Sequence, residues 1–122
     1  MTFPPITALP LLQAVAGHHH PVPFYVTRDM FGGLPFQIAG GEISDKVGKP
    51  VAELHTHDVD EIYLLLSPNA RGACIEIVAG GEAVVLESPA VYHVPAGVKH
   101  RFLTLRAEPG SYCLGVLLAN PR

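Results

Sequence analysis

Charge is scarce in this chain. Lysine and arginine total 8, aspartate and glutamate 11, and charged residues make up 16% of 122, with a net charge of −3. The basic residues form no cluster, so nucleic acid is not an expected partner. Tryptophan is absent, and Cys74 and Cys113 are the only cysteines. Two cysteines make no disulfide framework, and in a reducing compartment they are expected as buried thiols. No uninterrupted apolar run of about 18 residues occurs, which argues against a transmembrane helix and against a membrane partner. Residues Met1 to Pro10 lack a basic start and carry Pro4, Pro5 and Pro10, unlike a secretory signal. The expected location is the cytoplasm.

Helix-length patterns are also in short supply. Twelve glycines and twelve prolines break the sequence into short apolar runs, the pattern of strands joined by turns. Only Leu11 to Ala16, ended by Gly17, reads as one or two helical turns. Strands are expected at 23–27, 35–43 (with a possible bulge at Gly40-Gly41), 51–57, 61–66, 73–78, 82–86, 91–94, 100–105 and 112–118. The Gly80-Gly81 pair between two of these runs is a hairpin signal. Hydrophobic residues make up 48%, enough for one core in a chain of this length. The expectation is a single all-β domain over 1–122, with an N-terminal arm at 1–22 and a sandwich or barrel at 23–118.

Histidine is plentiful, seven in all. His55 and His57 are two apart on an expected strand, so both rings face the same way. Glu61 follows a three-residue gap that lets the chain bend and return a carboxylate to the same centre. His100 follows Pro95-Ala96-Gly97, a tight turn that would aim it inward from a neighbouring strand. Three imidazoles and one carboxylate suit a divalent metal ion such as Fe, Mn, Zn or Ni, without choosing among them. On a six-coordinate ion they leave two adjacent positions for a substrate or dioxygen.

The run His55-Thr56-His57-Asp58-Val59-Asp60-Glu61 resembles the first cupin motif, H-x-H-x-x-x-E. Pro95-Ala96-Gly97-Val98-Lys99-His100 resembles the second, P-x-G-x-x-H. The resemblance spans roughly Phe36 to Leu118, judged by the strands a jelly roll needs. It implies a double-stranded β-helix, or jelly-roll barrel, with His55, His57, Glu61 and His100 on the metal. It also implies a homodimer, to which the apolar stretch before His18 could contribute. Gly48 lies one residue farther from His55 than the family pattern places its glycine, and Thr104 stands where an asparagine is frequent.

Several residues near these motifs have two readings. Tyr63 shares the face of Glu61, either as a hydrogen-bonding group for substrate or as core. Phe102 and Thr104 share the face of His100 and are expected on the pocket wall. Phe36 is a candidate for the barrel mouth, with core filling as its alternative. His93, two residues before Pro95, is a candidate general acid or base against an uncatalytic strand-edge histidine. His18, His19 and His20 read as a solvated loop, with a second metal site as the alternative. Asp58 and Asp60 read as solvated acids that make the mouth negative. The functional expectation is a metal-dependent enzyme for a small, partly apolar, chelating substrate, with oxygenase chemistry slightly favoured. The alternatives are a Lewis-acid isomerase, cyclase or lyase, and a small-ligand-binding protein without turnover.

Overall fold

Alternation of side chains sets the architecture. Along Glu61–Leu66, Glu61, Tyr63 and Leu65 are buried, while Ile62, Leu64 and Leu66 face outward or are half covered. The inward residues of neighbouring strands meet this row, and the register follows because a one-residue slip would expose all of them. In a computed structural model, which describes residues 2–119, nine strands form in this way. They are β1 (Leu11–Gln13), β2 (Val22–Val26), β3 (Phe36–Glu42), β4 (Glu61–Leu66), β5 (Ala73–Ala79), β6 (Glu82–Glu87), β7 (Ala90–Val94), β8 (His100–Ala107) and β9 (Tyr112–Leu118). A short 3-10 turn, Met30–Gly32, joins β2 to β3.

Six strands make one sheet in the order β1-β2-β3-β9-β4-β7, and three make the other, β6-β5-β8, with every pairing antiparallel. Ile43, Tyr63, Leu65, Ala73, Ile75, Ile77, Val94 and Cys113 form the buried core between them. Leu65, Ile75 and Ile77 are fully buried, each contributing roughly 1.5–3 kcal/mol to stability. This is the jelly-roll arrangement expected from the sequence. Gly80 and Gly81 both have positive φ, 59° and 82°, which closes the β5–β6 hairpin in the sense that matches strand twist. Both cysteines are buried free thiols.

Three local expectations change. Residues 11–13 pair with β2 as a strand, not a helix, because the pairing with Val22–Phe24 supplies hydrogen bonds that so short a helix could not match. The irregularity near Gly40-Gly41 lies in β2 instead, between Phe24 and Val26, while β3 runs in continuous register with β9. Gly40 is still required: its φ is 122°, and a Cβ there would stand 2.3 Å from the Cys113 carbonyl oxygen. Residues 51–57 form no regular strand and touch their neighbours through two isolated bridges, His18 with Ala52 and His55 with His100.

Candidate metal centre

Backbone contacts between the two histidine-bearing segments build the site. His55 and His100 exchange both backbone hydrogen bonds, at 3.1 and 2.9 Å. The Gly97 N–H donates to the His57 carbonyl at 2.9 Å, and Gly97 has a φ of 81°, which favours glycine. The Asp60 carboxylate accepts from the Ala96 N–H at 2.9 Å. The turn Pro95-Ala96-Gly97 is thus tied to the segment that carries His55, His57 and Glu61. His100 opens β8 and Glu61 opens β4, so one ligand comes from each sheet. Although 51–57 is irregular, burial alternates there: His55 and His57 are half-buried, while Leu54, Thr56 and Asp58 are exposed.

The imidazoles of His55, His57 and His100 offer nitrogen atoms that all lie within 4.8 Å of one another. Their ring centroids are 4.6 to 5.2 Å apart. Glu61 joins them through Oε1, 2.9 Å from His100 Nε2 and 3.5 Å from His57 Nε2. The other carboxylate oxygen lies against Gly115 of β9, where a Cβ would be only 2.3 Å from Oε2. Gly115 is therefore the space in which the carboxylate rests.

Two of the rings are locked in orientation. His55 Nδ1 donates to the Glu53 carbonyl at 2.7 Å, and His100 Nδ1 to the Val98 carbonyl at 2.8 Å. A carbonyl can only accept, so both Nδ1 atoms carry hydrogen and both Nε2 atoms are the ones offered to the cluster. Three imidazole nitrogens and a carboxylate oxygen, oriented by outer hydrogen bonds, fit a divalent cation. His55, His57, His100 and Glu61 would hold it.

Burial lowers the basicity of His55 and His57, and neighbouring imidazoles lower it further. Burial also opposes charge on His100, but its hydrogen bonds to Glu61 and Val98 and the Glu61 charge outweigh this, and its pKa is raised. In its charged form His100 directs one N–H to the Val98 carbonyl and the other to the Glu61 carboxylate. The signs for folding oppose each other. His100 adds stability below pH 6.5 that is lost as pH rises through its raised pKa. His55 and His57 add stability above 6.5 that is lost as pH falls through their lowered values. Cation binding must displace the His100 Nε2 proton. Binding is expected to release a proton from His100 wherever that histidine is charged, and the release is expected to fall as pH rises through its raised pKa. Calorimetry in buffers of different ionisation enthalpy measures this; release that grows with pH would contradict it.

A cavity of about 400 Å³ opens beside the cluster, lined among others by His18, His55, His57, Glu61, Tyr63 and Phe102. Tyr63 is buried, with its ring 6.0 Å from that of His100 and 5.5 Å from that of Phe102. Burial, then the Glu61 charge and Cys113, raise the Tyr63 pKa well above 10, so its phenol stays protonated. The Cys113 thiol, also on the wall, is pushed up to about 12 by burial and Glu61.

Other residues singled out in the sequence lie elsewhere. His93 is on the outer face of β7, because its neighbours Tyr92 and Val94 turn inward. Its side chain is 56% exposed and bonds Asp60 Oδ2 at 2.9 Å, away from the cavity wall. Asp60 is correspondingly a structural anchor and not a solvated acid. Phe36 shares the outward face of Ile38, which borders a shallow hollow with Tyr25, Tyr112 and Leu114. Thr104 is buried beyond the cavity wall, and its Oγ1 has no hydrogen-bond partner among the described residues. Sequence reasoning missed His18, Lys46 and Cys113 as wall residues. No motif or spacing marks Lys46 or Cys113, and His18 stands out only within the run His18-His19-His20.

No protein-family model and no curated protein match the sequence. Solved structures do. A cupin 2 conserved barrel domain protein from Salinispora arenicola is similar over 98% of this chain and 90% of its own, with 16% identity and a TM-score of 0.64. A cupin-like protein from Thermotoga maritima matches over 96% and 83%, at 17% identity and a TM-score of 0.62. The chain carries the cupin fold. A cupin protein from Bacteroides fragilis is similar over 95% and 88% at 14% identity, with a TM-score of 0.60. The cupin likeness concerns the barrel; the ligand geometry is read from this chain's own side chains. Among the described residues, no helix is long and apolar enough to cross a membrane.

Proposed function

We propose that this cupin is a metal-dependent enzyme acting on a small, partly apolar molecule that chelates the cation held by His55, His57, Glu61 and His100. The observation that carries the reading is the oriented three-imidazole, one-carboxylate cluster opening onto a cavity. Phe102, Ile43 and Leu12 supply apolar wall, and Lys46 is a cation at the same cavity. Bound at this cluster, Fe(II) would activate a chelated enol, diketone or hydroxy acid toward dioxygen, whereas Zn, Mn or Ni would polarise its carbonyl. Neither acid–base candidate taken from the sequence suits the Lewis-acid reading. His93 is turned away, and a Tyr63 phenol held protonated can donate a hydrogen bond but is a poor base at neutral pH. An isomerase, cyclase or lyase would need a base that takes a proton from the substrate.

Oxygen uptake by the Fe(II)-loaded protein against a panel of enols, β-diketones and 2-hydroxy acids tests this, with His57→Ala as the blank. Uptake above the blank supports an oxygenase. Turnover only with Zn, Mn or Ni supports the Lewis-acid reading. Tight binding without turnover leaves a ligand-binding protein.

The proposal takes 1–122 as one domain, placed in the cytoplasm and acting as a homodimer without nucleic-acid or membrane partners. Exposed Leu11 and Leu12 on the edge strand β1 support the dimer, because apolar surface at a sheet edge needs cover. Light scattering is expected to give about 26 kDa, twice the 13.0 kDa chain. A species of 13.0 kDa alone would contradict the dimer.

A further inference from the structure

Residues 17–19 lie as a short antiparallel segment against 51–53. The His18–Ala52 bridge pairs them, the Glu53 N–H donates to the Gly17 carbonyl at 2.9 Å, and the His19 N–H donates to Val51 at 3.1 Å. Gly17 sits directly on His55. Its φ is 83°, and a Cβ there would come within 3.2 Å of the His55 Cβ. The N-terminal arm is therefore fastened to the segment that leads into the candidate ligands.

This placement brings a fourth imidazole to the site. The His18 ring centroid is 4.7 Å from that of His55, within the 4.6 to 5.2 Å range that separates the three clustered rings. His18 also lines the cavity. Its Nδ1 donates to the carbonyl two residues before it, Ala16, at 3.3 Å. His55 and His100 use the same bond, each to the carbonyl two residues before it. With its Nδ1 hydrogen on Ala16, the neutral His18 imidazole presents Nε2 as a hydrogen-bond acceptor. Yet its nitrogens are not among those gathered within 4.8 Å of one another. It stands one layer outside the cation's ligands.

We infer that His18 is a positioning residue: its Nε2 accepts a hydrogen bond from the small molecule held at the metal centre, and selects ligands that carry an N–H or O–H donor beside their chelating oxygens. This rests on the proposed reading of His55, His57, Glu61 and His100 as ligands. The arm, by this inference, is part of the binding site and not a solvated loop. Neighbouring His19 lies outside the cavity wall and serves as a matched control.

The test uses the full chain loaded with Co(II), whose visible absorption reports ligand exchange, titrated with acetohydroxamate, an O,O-chelator with an N–H donor. His18→Ala is expected to keep Co(II) affinity within about twofold and to bind acetohydroxamate about tenfold more weakly, the worth of one hydrogen bond. His18→Gln, which restores an acceptor oxygen, is expected to recover most of the loss, and His19→Ala to match the wild type. Unchanged Co(II) affinity also shows that the variant's site is folded. Equal acetohydroxamate binding by His18→Ala and wild type would overturn the inference. So would loss of Co(II) itself in His18→Ala, which would make His18 a ligand. If His57→Ala binds Co(II) as well as the wild type, the metal centre is what has failed, a result separable from both.

Discussion

Replacing His57 with alanine is expected to abolish cation binding while leaving the fold in place. The His57 ring is partly exposed, with 20% of its side chain accessible. Its one polar side-chain contact among the described residues is with Glu61 at 3.5 Å. The bond from Gly97 that joins the two motifs goes to the His57 backbone carbonyl, which the substitution keeps. Losing one of four ligands should cost more than the roughly 10–100-fold typical of an outer-shell change. A cation at about a hundred times its dissociation constant adds about 2.7 kcal/mol to the wild type, or roughly 10 °C in melting temperature. The variant should melt near the cation-free wild type and gain almost nothing from added cation. Calorimetric melts with and without Co(II) measure both quantities. A variant that still gains the full shift would remove His57 from the ligand set.

The second large effect is expected at a residue that is not a ligand. Gly115→Ala places a methyl group 2.3 Å from Glu61 Oε2. The backbone tolerates alanine there, since the φ of Gly115 is not positive. The carboxylate must swing away, and doing so gives up its 2.9 Å bond to His100. Overpacking of this kind costs roughly 1–3 kcal/mol of stability. Cation affinity should fall at least about tenfold, as when an orienting partner is lost. The signature is non-additivity. If the methyl acts only through the carboxylate, Gly115→Ala should weaken binding little further in a Glu61→Ala background. Fully additive losses would show that Gly115 acts by another route.

Much of this was legible because it depends on local pattern. β4 and β9 occupy 61–66 and 112–118, the expected spans, since alternation and bounding turns mark them clearly. The four candidate ligands come together because their two motifs carry their own turn chemistry, Gly97 above all. Other features depend on partners far along the chain. Leu11–Gln13 has a sequence compatible with a helical turn, and only its pairing with β2 makes it a strand. His18 reads as loop until 17–19 is seen against 51–53, over thirty residues away. The acid–base reading of His93 fails, and its strand-edge reading holds, for a simpler reason. Proximity to Pro95 in sequence says nothing about which face a residue occupies, and the parity of β7 puts it opposite Tyr92 and Val94. Phe36 fails likewise, because its parity matches Ile38 on the outer face.

The central claim is that His55, His57, Glu61 and His100 hold one divalent cation. Its most direct test is the metal content of untagged protein, purified without chelators and dialysed against metal-free buffer before elemental analysis. The expected result is about one equivalent of a divalent transition metal per chain, as a site with four protein ligands should retain. Protein that carries no such metal, and takes up none when Fe(II), Mn(II), Co(II), Ni(II) or Zn(II) is added, would contradict it.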